Sequence, residues 1–295
     1  MPESTNSILR PEDFSQHYIT FNGLRLHYAA EGTPGAPLIV LLHGFPEFWY
    51  SWRHQIKPLA EAGYFVVAVD QRGYNLSDKG GPYDLLTLSD DIAGLIQALG
   101  YSQAAAVIGH DWGGLVTWTF GARYPEMAQK VAVCNVPHPL TMTRTIRELY
   151  WPQIAHSGYV LFFQLPWLPE RLISTDDYKG LGDALITSMP GAITAEEVAY
   201  FKEAWRQPMA MTAMIGWYRA LLQDRARWEQ VPLTVKRPAL LIWGDNDFAL
   251  TTQTAEWSRD YIPGLQIEYI HGGSHWIQQE HPAEVNQYLL DFLQS

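Results

Sequence analysis

Unbroken apolar runs recur along this chain at intervals that leave room for helices. They read PLIVLL at 37–42, YFVVAV at 64–69, AAAVIG at 104–109 and PALLIW at 238–243, with VAVCN at 131–135 in the same series. A run with no polar alternation suits a strand buried on both faces, as in a parallel sheet covered by helices. Helical stretches lie between the runs. One spans 50–61 and stops at Gly63; another spans 87–99, with Thr87 or Ser89 as N-cap and Gly100 as stop; a third spans 112–123 and runs to Tyr124-Pro125. This order predicts the α/β class, a mostly parallel sheet flanked by helices. Ahead of it, 17–21 and 24–30 flank Asn22-Gly23, the dipeptide of a tight antiparallel hairpin.

The alternation breaks after residue 136. The stretch 137–235 holds Pro137, Pro139, Pro152, Pro166, Pro169, Pro190, Pro208 and Pro232, with helical candidates at 141–150, 194–206 and 209–223. The strand signal resumes at 238–243 and at LQIEYI, 265–270, before a last helix at 282–294. Residues 1–136 and 236–295 are therefore expected to form one α/β core, and 137–235 a helical cap inserted into it.

Composition excludes several classes. The formal net charge is −11 without clustered Lys and Arg, a poor match to a phosphate backbone, so no nucleic-acid partner is expected. The single cysteine, Cys134, can form no intramolecular disulfide, and no Cys/His cluster offers a metal site. Met1–Phe14 is polar, carries Pro2, Glu3, Glu12 and Asp13, and lacks the pattern of a secretory leader. No apolar run reaches the ~18 residues of a membrane span. A cytoplasmic protein without cofactor, metal or membrane partner is the expectation, as monomer or homodimer.

Strand 104–109 runs into Gly109-His110-Asp111-Trp112-Gly113-Gly114, the G-x-nucleophile-x-G turn in its strand-turn-helix setting. A nucleophile on so sharp a turn sits in a strained backbone and needs small neighbours. The following helix aims its partial positive charge at the site. Asp111 stands where a serine serves acyl transfer. A carboxylate is already anionic and can attack a saturated carbon, giving an ester on the enzyme.

His43-Gly44-Phe45-Pro46 follows strand 37–42, where this type of fold supplies one oxyanion-hole N–H; the residue after the nucleophile supplies the other. The backbones of Phe45 and Trp112 are the candidate donors, and His43 is expected to hold the loop. His275, in GGSHW at 272–276, comes last in chain order and is the candidate base. GDNDF at 244–248 offers its acid: Asp247, further out beyond the strand, with Asp245 bracing the turn. The position after strand 131–135 reads Asn135, not a carboxylate.

Together HGFPE at 43–47, GHDWGG at 109–114, GDNDF at 244–248 and GGSHW at 272–276 resemble the α/β-hydrolase-fold epoxide hydrolases, over about residue 18 to 295. The resemblance implies two cap tyrosines that hydrogen-bond and protonate the epoxide oxygen. Trp217-Tyr218-Arg219 is similar to the family's second cap-tyrosine segment, and Gly158-Tyr159 through Gln164 to the first. A phenol with a reference pKa of about 10 can donate to an opening alkoxide. Phe45, Trp112, Phe162, Phe163 and Trp217 are expected to line an apolar pocket. The implied substrates are a small-molecule epoxide and water.

Two other functions compete. Haloalkane and haloacid dehalogenases use the same Asp-His-Asp set. The former often pair the Trp after the nucleophile with an Asn at the position held here by Phe45. Fluoroacetate dehalogenases carry an Arg where Trp112 stands and a cap His-Trp pair where this chain has Tyr159-Val160. A non-catalytic ligand-binding protein of the same fold is the other alternative; such a protein often loses a catalytic member, and every expected role is filled here.

Overall fold

The computed structural model describes residues 8–295; the first half of the polar stretch read as leaderless, Met1–Ser7, lies outside the described residues. Strands β1 (Ser15–Phe21) and β2 (Leu24–Glu31) form the expected hairpin, pairing Phe21 with Leu24 across Asn22 and Gly23, both at positive φ. Then follow β3 (Leu38–Leu42), α1 (Arg53–Glu61), β4 (Phe65–Val69), α2 (Leu85–Ala98), β5 (Ala104–His110), α3 (Trp112–Arg123) and β6 (Ala128–Cys134). Every residue of β3, β4 and β5 is buried, as their apolar sequence requires, with His110 at the end of β5 as the polar exception.

Helix α2 begins earlier than its sequence signal. Its N-cap is Asp84, whose side chain accepts from the Thr87 N–H, not Thr87 or Ser89. Leu85, Leu86 and Leu88 are buried, so the packed face extends the helix back to the aspartate. Its end is as expected: Gly100 takes φ +88° just beyond the C-cap Leu99.

No strand occurs between β6 and β7 (Ala239–Gly244). That stretch folds as α4 (Pro139–Arg147), α5 (Trp151–His156), α6 (Gly158–Phe162), α7 (Leu168–Ile173), α8 (Thr175–Ser188), α9 (Ala195–Trp205), α10 (Ala210–Gln223) and α11 (Arg225–Trp228). The chain ends with α12 (Thr252–Trp257), β8 (Gln266–Ile270), α13 (Ile277–Glu280) and α14 (Pro282–Gln294).

The sheet has eight strands in the order β1-β2-β4-β3-β5-β6-β7-β8; β2 pairs antiparallel with both its neighbours, β1 and β4, and every other pairing is parallel. The connection β3→β4 steps one way along the sheet, whereas β4→β5 and β5→β6 step the other. Right-handed crossovers therefore put α1 on one face and α2 and α3 on the other. The order reverses beside β3 and β5, and the crevice outside the carboxyl ends of such strands is where open α/β sheets bind ligands. His43, Asp111, Asn135, Asp245 and His271 each immediately follow a strand on that edge. This is the α/β-hydrolase architecture, with helices inserted after β6. No helix among the described residues is long and apolar enough to cross a membrane.

Candidate active site

Asp111 occupies the single residue between β5 and α3, at φ 48° and ψ −119°. A left-handed φ is uncommon outside glycine and costs about 1–3 kcal/mol, so tight surroundings must hold it. They leave no space for a Cβ at two neighbours. One on Gly113 would lie 2.2 Å from the Leu42 carbonyl oxygen, and one on Gly44 would lie 2.4 Å from Asp111 Cβ.

The two carboxylate oxygens of Asp111 face different partners. Oδ1 accepts from the Phe45 N–H at 2.8 Å, and Oδ2 lies 3.6 Å from His275 Nε2. The Trp112 N–H, the other expected donor, makes no hydrogen bond to Asp111 in this structure. Burial works against the charge on Asp111, but His275, His110 and the Phe45 N–H outweigh it and hold the carboxyl below its ordinary range.

His275 Nδ1 meets Asp247 Oδ2 at 2.8 Å. Asp247 also accepts from the N–H groups of Ala249 and Leu250 and from Asn135 Nδ2. Its pKa is lowered: burial would raise it, but His275 and these donors dominate. Asp245 instead binds His271 and the Gly272 N–H at the surface. The structure thus brings Asp247, and not Asp245, to His275. Burial pushes the His275 pKa down, yet Asp247 and Asp111 on either side raise it well above the usual value. His43 is fully buried and bonds Gly44 and Gln71, bracing its loop.

Tyr159 on α6 and Tyr218 on α10 meet above this group, with ring centroids 5.9 Å apart. Tyr218 packs edge-on to Trp112 at 4.9 Å, Phe45 at 5.3 Å and Phe163 at 4.7 Å. Gln164 Nε2 bridges the carbonyls of Val160 and Tyr218. Arg219 donates to the carbonyls of Phe163 and Leu165 and pairs with Glu170. The two phenols are thereby fixed to one another. Tyr218 is 5% exposed and Tyr159 39%. Loss of water, then the charge of Asp111, raises both phenol pKa values; Asp247 adds to the effect at Tyr159.

The five expected lining residues divide. Phe45, Trp112 and Phe163 surround Tyr218 directly. Phe162 touches the cluster through Phe163 at 5.8 Å. Trp217 is wholly buried, packs on Tyr74 and Trp112, and donates from Nε1 to the Arg72 carbonyl, tying α10 to the loop after β4. Beside the cluster an apolar cavity of about 320 Å³ is lined by Leu115, Met142, Val160, Leu161, Leu221 and Trp228 among others. Leu115 is four residues beyond Asp111 on α3, and Leu221 three beyond Tyr218 on α10, so helical periodicity places the cavity one turn from the site.

Three buried polar residues escaped the sequence reading. Glu47 accepts from the Gly44 N–H and meets His110 Nδ1 at 2.8 Å. His110 Nε2 meets the His275 carbonyl at 2.8 Å. Asn135, an amide and not a carboxylate, donates to Asp247 and the Ser274 carbonyl and accepts from the Gly244 N–H. Burial would raise the Glu47 pKa, but His110 and the Gly44 N–H lower it. The signal available for each was a polar residue at the apolar end of a strand or inside the HGFPE motif.

The chain is similar to known proteins over most of its length. The alpha/beta hydrolase fold family model matches residues 37–162. AB hydrolase superfamily protein YfhM of Bacillus subtilis (strain 168) is 45% identical over 286 residues, 94% of this chain and 97% of that protein. Epoxide hydrolase 1 of Caenorhabditis elegans is 39% identical over 295 residues, 96% of this chain and 71% of that protein. Among solved structures, Bacillus megaterium epoxide hydrolase in complex with an inhibitor superposes with a TM-score of 0.86 at 32% identity, covering 95% of this chain and 100% of that one.

Proposed function

This chain belongs to the epoxide hydrolase family of the α/β-hydrolase fold, and we propose that it opens epoxides to vicinal diols through an ester on Asp111. The observation that carries the reading is the division between the two oxygens of Asp111. One is held by the Phe45 N–H, and the other stays free of hydrogen bonds, beside His275 and below two phenols. The helices of 137–235 act as a cap that supplies those phenols to the core.

In the first step Asp111 Oδ2 bonds to an epoxide carbon as that carbon's C–O bond breaks. Tyr159 or Tyr218 gives its proton to the departing oxygen and recovers one from solvent. An alkoxide needs that proton and a halide does not, so paired phenols suit an epoxide better than a halide substrate. The product is an ester on Asp111 carrying a free hydroxyl.

The second step needs a neutral His275. In the free site the carboxylates on both sides favour its protonated form. Esterification cancels the charge on Asp111 and removes one of those influences. His275, oriented by Asp247, then takes a proton from water as the water oxygen bonds to Cγ of Asp111. The oxyanion on Oδ1 accepts from the N–H groups of Phe45 and Trp112, a contribution of about 10²–10³ in rate per donor. Collapse breaks the Cγ–Oδ2 bond, His275 returns the proton to the leaving alkoxide, the acid left on Asp111 loses its proton to solvent, and the diol departs. Phe45, Trp112, Phe162, Phe163 and Trp217 keep the site apolar.

Styrene oxide tests this. Wild type should give the diol and Asp111→Asn none. With enzyme in excess in water carrying heavy oxygen, the first diol released should be unlabelled, since the water oxygen enters Asp111. No diol from wild type, or label in that first diol, would remove the proposal.

A further inference from the structure

A buried chain of polar contacts runs beneath the site from cap helix α9 to the peptide of His275. Glu197, in the first turn of α9, accepts from Thr194 through Oε2 and from Arg53 Nε through Oε1 at 2.9 Å. Arg53 opens α1 and is wholly buried; its Nη1 donates to Gln279 Oε1 at 2.7 Å. The amide so oriented donates from Nε2 to Glu47 Oε1 at 2.9 Å. Glu47 Oε2 meets His110 Nδ1, and His110 Nε2 meets the His275 carbonyl, each at 2.8 Å. A carbonyl only accepts, so His110 Nε2 carries a hydrogen and donates it to the His275 backbone. The far end of α9 has its own tether: Trp205 Nε1 donates to the Pro46 carbonyl at 2.6 Å, on the loop that carries Phe45.

Stability alone is a weak reason for this construction. A buried ion pair recovers little more than its desolvation cost, and well-packed apolar residues often do as well. A fully connected buried network does fix one geometry, because each member has a single arrangement that satisfies its neighbours. We infer that Glu197 and Arg53 are positioning residues, through which α9 sets the backbone of His275 and the oxyanion loop. Neither touches the reacting atoms. The inference rests on the proposed role of His275 in ester hydrolysis.

That role makes the two chemical steps respond differently. Attack by Asp111 needs no base, whereas ester hydrolysis needs His275 and the Phe45 N–H in register. Breaking the chain should therefore slow hydrolysis and leave alkylation nearly unchanged, so the ester accumulates. A displacement of about 1 Å can cost up to about 10²-fold, and a hydrolysis rate lower by about tenfold is the expected size.

Acid quench and intact-mass measurement with styrene oxide read the ester fraction at steady state and both rates. Glu197→Ala and Gln279→Leu should raise that fraction, and Glu197→Gln, which keeps an acceptor for Arg53, should recover part of the loss. Glu196→Gln, one residue along on the exposed side of α9, should match wild type. Gln279→Leu cuts the chain while leaving the Arg53–Glu197 pair in place, so it decides the matter should Glu197→Ala fail to fold. Equal slowing of both steps, or an unchanged ester fraction in Gln279→Leu, overturns the inference. Absence of both adduct and diol from wild type would instead overturn the proposed function.

Discussion

Asp111 Oδ2 and His275 Nε2 are 3.6 Å apart, while His275 Nδ1 is 2.8 Å from Asp247. The first distance is beyond a hydrogen bond and the second is well within one. His275 is thus held from behind by Asp247 and only faced by Asp111. Oδ2 keeps its lone pairs for carbon, and the imidazole keeps a clear approach to a water attacking Cγ.

The charge around His275 predicts a pH effect of definite sign. Negative neighbours stabilise the imidazolium and raise its pKa; burial does the opposite. Asp111→Asn and Asp247→Asn should each lower the His275 pKa, which NMR titration of the imidazole would read. The acid limb of kcat, which reports the ester, should lie below the His275 pKa of the free enzyme. An unchanged His275 pKa in both variants would contradict this account of the site's electrostatics.

The phenols should act in the first step. Tyr218→Phe or Tyr159→Phe should slow alkylation by about 10²-fold, at the low end of general-acid contributions because the partner remains, and the double variant should show no measurable turnover. Rapid-mixing rates of ester formation check this. Normal alkylation in the double variant would refute the assignment.

Asn135→Ala leaves Asp247 without one of its donors. Losing one partner of a buried charged acceptor costs about 1–3 kcal/mol, and the freed carboxylate should hold His275 less firmly. A lower kcat and a lower unfolding midpoint in urea are both expected, with no gain in substrate affinity.

The strained turn makes a separate prediction. Gly113→Ala would set a methyl 2.2 Å from the Leu42 carbonyl, which belongs to a central strand and cannot move aside. Destabilisation of about 3 kcal/mol or more is expected, the upper end of overpacking costs, and denaturant unfolding would measure it.

The strands were legible because β3, β4, β5 and β7 are buried along their whole length, and apart from His110 at the end of β5 they carry only glycine and apolar residues. The hairpin was legible because Asn22-Gly23 supplies two positive-φ residues in a row. The short helices were not. Helices α5, α6 and α7 have five or six residues each, under two turns, too few to display a period. The start of α2 is hidden in the sequence because Asp84, Thr87 and Ser89 all have cap chemistry, and only the packing of Leu85, Leu86 and Leu88 selects Asp84. Asp247 was separable from Asp245 by its distance beyond the strand. Glu47, His110 and Asn135 acquire their parts only through contacts 63 and 112 residues away in sequence, which no local pattern encodes.

The central claim is a covalent bond to Asp111. His275→Gln should still alkylate but fail to hydrolyse, so incubation with styrene oxide followed by intact-mass measurement should show the protein heavier by one epoxide, and Asp111→Asn in the same background should show none. A wild type that makes diol while His275→Gln carries no adduct, or an adduct that survives Asp111→Asn, would contradict it.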